Sequence, residues 1–127
     1  MKKEIVNSNQ APEPIGPYNQ SVKFGELLFT SGQIALDLEG NLITDDIESE
    51  TRQVFKNLQM ILKASGLDFE NVLKVSIFLK DMNDFVKVNE TYATYFTSDV
   101  APARETVQVA KLPKNVNIEI SLIAGKP

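Results

Sequence analysis

The spacing of inward-facing residues predicts two helices in this chain. Between about residues 45 and 66 these residues recur at helical period and form one stripe, which comprises Ile47, Thr51, Val54, Phe55, Leu58, Ile61 and Leu62. Asp45 and Glu48 have the spacing of a capping box at the start of this helix, and Gly66 is suited to end it in a left-handed conformation. A second helix is predicted from about Asn83 to Thr97, and its inward residues are Phe85, Val88, Tyr92, Tyr95 and Phe96.

Shorter segments of alternating or β-branched residues predict five strands. In chain order they are Ser21–Phe24, Leu27–Ser31, Leu73–Leu79, Glu105–Lys111 and Val116–Ala124. Gly25-Glu26 is a plausible tight turn between the first two. The element order is therefore β-β-α-β-α-β-β. It predicts one α+β domain over residues 1–127, in which two helices pack on one face of a mixed β-sheet.

The sheet face that points away from the predicted helices has a mixed composition. Its residues on the third and fifth strands are Lys74, Ser76, Phe78, Asn117, Glu119, Ser121 and Ile123. Such a face is either solvated or an oligomer interface with hydrated pockets. We favour the interface, because Phe78 and Ile123 would be removed from water on burial.

The composition excludes several kinds of chemistry. The 127 residues contain no histidine and no cysteine, which excludes a Ser-His triad, a thiolate nucleophile and an ordinary zinc or haem site. A net charge of −4 with dispersed basic residues disfavours binding to nucleic acid. Apolar runs are at most three residues long, and the start of the chain lacks the apolar core of a signal peptide. We therefore expect a cytoplasmic protein without a membrane span.

Two charged residues are candidates for catalysis. If Val107 and Val109 face the core, alternation along the strand places Arg104 and Thr106 on the opposite face. By the same argument Glu119 also points away from the helices. An arginine grips a carboxylate through two charge-assisted hydrogen bonds, and a nearby glutamate activates a water molecule. The pattern leaves open the alternative that both residues are solvated surface charges or a structural ion pair.

Seven short motifs follow one another along the chain, and in order they are Gly16-Pro17-Tyr18, Thr30-Ser31-Gly32-Gln33-Ile34, Lys80-Asp81-Met82-Asn83-Asp84-Phe85, Val88-Asn89-Glu90-x-Tyr92, Pro102-Ala103-Arg104, Leu112-Pro113 and Ile118-Glu119-Ile120. Together they closely resemble the signature motifs of the Rid family of reactive-intermediate imine deaminases. The resemblance extends from about residue 5 to residue 124. Each motif alone is weakly specific, whereas seven in order over nearly the whole chain are a specific match.

The resemblance implies a chorismate-mutase-like fold and a homotrimer with active sites in the clefts between neighbouring subunits. It implies a cofactor-independent deaminase that hydrolyses 2-iminobutanoate and 2-iminopropanoate, which arise from the enamines released by PLP-dependent dehydratases, to 2-oxo acids and ammonia. By resemblance Arg104 binds the substrate carboxylate, and Glu119 holds or activates the attacking water. The remaining substrate-binding residues implied for this cleft are Tyr18, Ser31, Gly32, Asn89 and Thr106.

The chain departs from the common Rid pattern at two positions. Many members have cysteine where this chain has Thr106, so a nucleophilic role at this position is in doubt and we interpret Thr106 as a positioning residue. Many also have an acidic residue where this chain has Ser121, which we expect to alter polarity rather than mechanism. Two other functions remain open on the same fold. One is a non-catalytic module that binds 2-oxo acids, and the other, a nuclease or translation inhibitor, is disfavoured by the acidic charge.

Strand geometry limits how Arg104 and Glu119 form one site. If the last two strands were a hairpin through Leu112–Asn115, Arg104 would pair near Ile123. Glu119 would then lie about 13 Å away at about 3.3 Å per residue, too far for a three-carbon substrate to contact both residues. Either these strands are not hairpin partners, or the two residues come from neighbouring chains.

Overall fold

A six-stranded sheet organises the computed structural model, which describes residues 2–97 and 99–126. The strands are β1 (Lys3–Val6), β2 (Ser21–Phe24), β3 (Leu27–Thr30), β4 (Val72–Leu79), β5 (Ala103–Gln108) and β6 (Ile118–Gly125). The helices are α1 (Ile47–Ala64) and α2 (Phe85–Tyr92). These elements confirm the predicted α+β class. The sequence pattern did not predict β1, because it has four residues and begins with two charged ones.

The strand order in space is β1-β2-β3-β6-β4-β5. The β4–β5 pair is parallel, and the other four neighbouring pairs are antiparallel. Strand β4 therefore lies between β5 and β6. This confirms the first of the two options above, that the last two strands are not hairpin partners.

Helix α1 begins slightly later than the capping pattern predicts. Its N-cap is Asp46, whose Oδ1 accepts a hydrogen bond from the backbone nitrogen of Ser49 at 2.7 Å. The predicted N-cap pair of Asp45 and Glu48 was therefore wrong by one residue. Asp45 and Asp46 each have a polar residue three positions later, so the capping pattern fits both. Gly66 follows the helix with a φ of 74°, which is the left-handed conformation predicted for its end.

The predicted apolar stripe of α1 forms the centre of the core. Its fully buried residues are Val54, Phe55, Leu58, Ile61 and Leu62. All of them except Ile61 belong to one core cluster with the buried residues of β4 and β6. The ring of Phe55 lies 4.4 to 6.0 Å, centroid to centroid, from four other aromatic rings, which are those of Phe69, Tyr92, Tyr95 and Phe96.

Helix α2 is shorter than predicted. It ends at Tyr92 rather than near Thr97, and a short 3-10 helix, Met82–Asp84, precedes it. The predicted inward residues still pack on the core, with Phe96 buried and Tyr95 half-buried beyond the helix end. In the part of the chain that the structure describes, neither helix is long and apolar enough to cross a membrane.

The sheet face away from the helices, which we call the open face, is mostly apolar on β1, β2 and β3 and mixed on the other strands. Ladder partners point to the same side of a sheet, so the registers assign residues to this face. Its apolar members on β1, β2 and β3 are Ile5, Val22, Phe24, Leu27 and Phe29, which continue from Phe78 and Ile123 on β4 and β6. Four of these side chains are more than a third exposed, namely Ile5, Phe24, Leu27 and Phe29.

Asn117 does not belong to the open face as predicted, because it precedes β6 and bonds to α1. The fully buried carboxylate of Glu50 accepts hydrogen bonds from the backbone nitrogen of Asn117 at 2.8 Å and from its Nδ2 at 2.7 Å. A buried donor that loses its partner bears the full cost of desolvation. Glu50 therefore fixes the segment that leads into β6.

We expect Glu50→Ala to lower the free energy of unfolding by about 2–4 kcal/mol, because it leaves two donors of Asn117 unpaired and opens a cavity. Urea denaturation measures this change. Glu48→Ala is the matched control: Glu48 is exposed and pairs with Arg52 at 3.6 Å, so we expect a change below about 0.5 kcal/mol. Equal losses in the two variants would contradict the prediction.

Candidate functional site

Strand β5 presents Arg104 and Thr106 to the helix side of the sheet. In the parallel ladder Arg104 lies opposite Val75, and Thr106 lies opposite Ile77. Both β4 residues are fully buried in the core beneath the helices. Because ladder partners share a side, the prediction that Arg104 and Thr106 point away from the helices was wrong. Val107, predicted to face the core, lies on the open face instead and is exposed.

Three side chains of α2 surround the guanidinium of Arg104. Asn89 Oδ1 accepts a hydrogen bond from Arg104 Nη1 at 2.6 Å. The Cζ atom of Arg104 lies 4.6 Å from the ring centroid of Tyr92 and 5.7 Å from that of Phe85. Among the described residues, no carboxylate lies within 4.0 Å of this guanidinium. Its remaining donors are therefore available to an anion.

Two buried hydroxyls lie in the same part of the structure. Within the described chain, Tyr92 Oη and Thr106 Oγ1 have no hydrogen-bond partner. Burial raises the pKa of Tyr92, and the positive charge of Arg104 opposes that increase. The phenol therefore stays protonated at neutral pH. Thr106 keeps an unpaired hydroxyl two residues from Arg104 on the same side of β5.

Glu119 lies on the open face, as predicted. It is half-buried and lies opposite Phe78 in the β4–β6 ladder. Burial raises the pKa of its carboxyl above the usual range for glutamate. Gly32 packs directly against it, because a Cβ placed on Gly32 would lie 2.7 Å from both Cδ and Oε2 of Glu119. The absence of a side chain at position 32 makes room for the carboxylate.

Ser31 and Tyr18 adjoin Gly32. The Oγ of Ser31 donates a hydrogen bond to the carbonyl oxygen of Asn19. The backbone nitrogen of Ser31 donates to the carbonyl oxygen of Gln20 at 2.8 Å. The hydroxyl of Ser31 is thus engaged with the preceding loop. Tyr18 is half exposed and, together with Gly32, lines a pocket of about 260 Å³, whose other lining residues include Pro14, Ile15, Gln33, Ile34 and Pro113.

The predicted site residues therefore form two groups. The arginine group is Asn89, Arg104 and Thr106, on the helix side of the sheet. The glutamate group is Glu119 with Gly32 against it, and with Ser31 and Tyr18 in the adjoining segments. The sheet separates Arg104 from Glu119. A single chain consequently does not bring the two predicted catalytic residues into one cleft.

The sequence pattern predicts Phe85 and Tyr92 as inward core residues, and it did not predict their contact with Arg104. Together with Asn89 they occupy positions i, i+4 and i+7, which lie on one face of a helix. That spacing was available as a signal. It became informative once β5 was known to turn Arg104 towards α2.

If Glu119 has the catalytic role that the sequence predicts, we expect Gly32→Ala to lower kcat/KM by about 10- to 100-fold, because the new methyl group displaces its carboxylate and a small misplacement of a catalytic group is costly. Gly40→Ala is the control, since a Cβ there meets nothing within 4 Å although its φ of 88° strains the backbone. Steady-state kinetics and thermal unfolding separate the two effects. A loss of activity in Gly40→Ala as large as that in Gly32→Ala would contradict the steric explanation.

Comparison with known proteins connects this geometry to a family. The family model described as Endoribonuclease L-PSP matches residues 8–126. The solved structure of YyfA from Yersinia pestis, described as a conserved Rid family protein of unknown function, has a TM-score of 0.95 and 40% identity, and the match covers 98% of this chain and 100% of that one. The chain belongs to the Rid family. This confirms the membership that the seven motifs predicted.

Relatives of this Rid protein include two that are named as deaminases. Reactive Intermediate Deaminase A of Arabidopsis thaliana, described as chloroplastic, is 48% identical over 125 residues, which is 98% of this chain and 66% of that protein. The 2-iminobutanoate/2-iminopropanoate deaminase of Salmonella typhimurium is 44% identical over 126 residues, which is 98% of each chain. These names support an enzyme that acts on small molecules.

Proposed function

We propose that this Rid protein hydrolyses 2-iminobutanoate and 2-iminopropanoate to the corresponding 2-oxo acids and ammonia. The observation that carries the proposal is the state of Arg104. Its guanidinium contacts Asn89 and two aromatic rings, yet no carboxylate of the described residues neutralises it. A 2-imino acid has a carboxylate directly attached to its reactive carbon, so a fixed guanidinium also fixes that carbon.

Arg104 binds the substrate carboxylate in this proposal. A guanidinium and a carboxylate form two parallel hydrogen bonds, each worth about 1.5–3 kcal/mol when one partner is charged. Asn89 contributes by holding Nη1. Thr106 lies on the same side of β5 and acts as a positioning residue, because its Oγ1 is buried within the chain.

Glu119 is the general base. Burial raises the pKa of its carboxyl, which makes the ionised form a better proton acceptor than a solvated glutamate. It takes one proton from water and passes it to the imine nitrogen as the oxygen adds to the imine carbon. It then moves the proton of the new hydroxyl group to the nitrogen as the remaining C–N bond breaks, the C–O double bond forms and ammonia leaves. One water molecule is consumed, one C–N double bond is broken, and one C–O double bond is formed. None of these steps requires a cofactor.

The active site lies between two chains. Within one chain the sheet separates Arg104 on the helix side from Glu119 on the open face. The apolar side chains of the open face on β1, β2 and β3 are also exposed, as expected of a surface that another chain covers. A homotrimer in which the glutamate group of one subunit faces the arginine group of the next provides three complete sites.

Two other functions are less well supported. A ribonuclease would need clustered basic residues to bind phosphates, whereas the chain has a net charge of −4 and dispersed lysines. A module that binds 2-oxo acids without turnover uses the same arginine. It does not explain why Gly32 leaves room for a half-buried carboxylate beside the pocket.

A coupled assay tests the proposal. A threonine or serine dehydratase generates the imine, and semicarbazide traps the fraction that remains unhydrolysed. We expect the protein to decrease the trapped adduct and to accelerate release of the 2-oxo acid. Unchanged adduct with both substrates, together with calorimetric binding of 2-oxobutanoate, would favour the binding module instead.

The raised pKa of Glu119 has a consequence for the pH profile. A general base works when it is ionised, so kcat/KM should fall tenfold per pH unit below the pKa of Glu119. Because burial raises that pKa, the fall should begin above pH 4.5, the ordinary value for a glutamate carboxyl. Initial rates corrected for uncatalysed hydrolysis measure the profile, and Glu119→Gln should abolish the acidic limb. A limb that persists in Glu119→Gln would assign it to another group.

A further inference from the structure

Helix α2 provides a cradle for Arg104, formed by Phe85, Asn89 and Tyr92. We propose that Phe85 and Tyr92 are positioning residues, whose rings fix the guanidinium so that its Nε–Nη2 edge meets the substrate carboxylate. The inference rests on the carboxylate clamp of the proposed function and deepens it. It assigns a role to two residues that otherwise would count as part of the core.

The contacts define which edge of the guanidinium is available. Asn89 Oδ1 occupies Nη1 at 2.6 Å, and the ring of Tyr92 lies 4.6 Å from Cζ. Phe85 lies 5.7 Å from Cζ, within the distance at which a cation is attracted to a ring face. Nε and Nη2 have no hydrogen-bond partner among the described residues. These two donors form one parallel fork, which is the arrangement that a carboxylate accepts.

The position of Arg104 explains why such a cradle is needed. The residue lies on β5 at the edge of the sheet, and its side chain is largely exposed. An exposed arginine samples many rotamers, and a ligand that binds it must also order it. Rings that hold the guanidinium before the ligand arrives remove that entropy cost from binding. The cradle should therefore act mainly on affinity for the carboxylate.

The ring of Tyr92 acts in this proposal, and its hydroxyl does not. Tyr92 Oη is buried without a hydrogen-bond partner in the described chain, so it does not hold Arg104 through a hydrogen bond. Phenylalanine at this position keeps a ring face beneath the guanidinium, whereas leucine removes it. Comparison of Tyr92→Phe with Tyr92→Leu thus separates the ring from the hydroxyl.

The test uses two readouts that do not require turnover. Calorimetry measures the Kd of 2-oxobutanoate, and side-chain ¹H–¹⁵N spectra report the Nε–H resonance of Arg104. The chain has two arginines, so Arg52 serves as an internal reference. We expect Tyr92→Leu and Phe85→Leu each to raise Kd by about two- to tenfold and to shift the Arg104 resonance downfield as the ring current is lost. Tyr92→Phe should keep both the Kd and the Arg104 resonance at their wild-type values.

Tyr95→Leu is the matched control. Tyr95 belongs to the same aromatic cluster, with its ring 4.4 Å from that of Phe55, but it makes no cation–π contact with Arg104. It should lower thermal stability while Kd and the Arg104 resonance stay at their wild-type values. If Tyr92→Leu does not fold, Phe85→Leu decides the matter, because Phe85 is half-buried and lies outside the centre of the core.

Three results would overturn the inference. An unchanged Arg104 resonance and Kd in Phe85→Leu would show that the rings do not position the guanidinium. A loss in Tyr92→Phe equal to that in Tyr92→Leu would assign the role to the hydroxyl. Equal effects in Tyr95→Leu would show a general loss of packing. Failure of the proposed function is distinct: the wild-type chain would then leave the trapped adduct unchanged in the coupled assay, while the Arg104 resonance would still report the cradle.

Discussion

Arg104→Ala is expected to lower kcat/KM for 2-iminobutanoate by about 10²- to 10⁴-fold. The variant loses two charge-assisted hydrogen bonds of about 1.5–3 kcal/mol each, and about 1.4 kcal/mol corresponds to a tenfold change. Arg104→Lys should recover little of this loss, because an ammonium group is a point charge without the planar fork. The coupled dehydratase and semicarbazide assay measures both variants.

The chain itself provides the control for this prediction. Arg52 is the other arginine, and it lies on the exposed side of α1, 3.6 Å from Glu48. Arg52→Ala removes the same charge from the protein without affecting the arginine group, so its kcat/KM should stay within about twofold of wild type. Near-normal activity in Arg104→Ala or Arg104→Lys would exclude the carboxylate clamp.

Sequence patterns predicted which elements form but not which way β5 faces. The alternation of Val107 with Arg104 and Thr106 is real, and the prediction assumed that apolar residues face the helices. The open face also has apolar residues, so this assumption fails for a strand at the edge of the sheet. The register with β4, in which Arg104 lies opposite the buried Val75, decides the orientation of β5. The sequence of β5 alone does not reveal which residues of β4 it pairs with.

The central elements were easier to predict for a physical reason. Helix α1 and strand β6 are buried along one face over many residues, which makes the period of their hydrophobic pattern unambiguous. The motifs that resemble the Rid family identified the candidate site residues. The structure shows that these residues form two groups on opposite sides of the sheet. Phe85 and Tyr92 could not be assigned beyond the core, because aromatic residues at helical spacing are typical of core packing.

Mixing two inactive variants should restore activity. The sheet separates Arg104 from Glu119 within one chain, and in the proposed site each of two chains contributes one of them. In a cyclic oligomer assembled at random from equal amounts of Arg104→Ala and Glu119→Gln, about a quarter of the interfaces combine an intact arginine with an intact glutamate. We expect about a quarter of wild-type activity after joint unfolding and refolding, from variants that are each nearly inactive alone.

The reverse mixture discriminates further between one-chain and two-chain sites. When the double variant Arg104→Ala/Glu119→Gln is co-refolded with an equal amount of wild type, a two-chain site is intact at about a quarter of the interfaces. A site formed within one chain would instead remain intact in about half of the subunits, and the first mixture would then show no recovery. Half-maximal activity in the second mixture with none in the first would therefore place both residues in one chain, contrary to the side of the sheet on which each one lies.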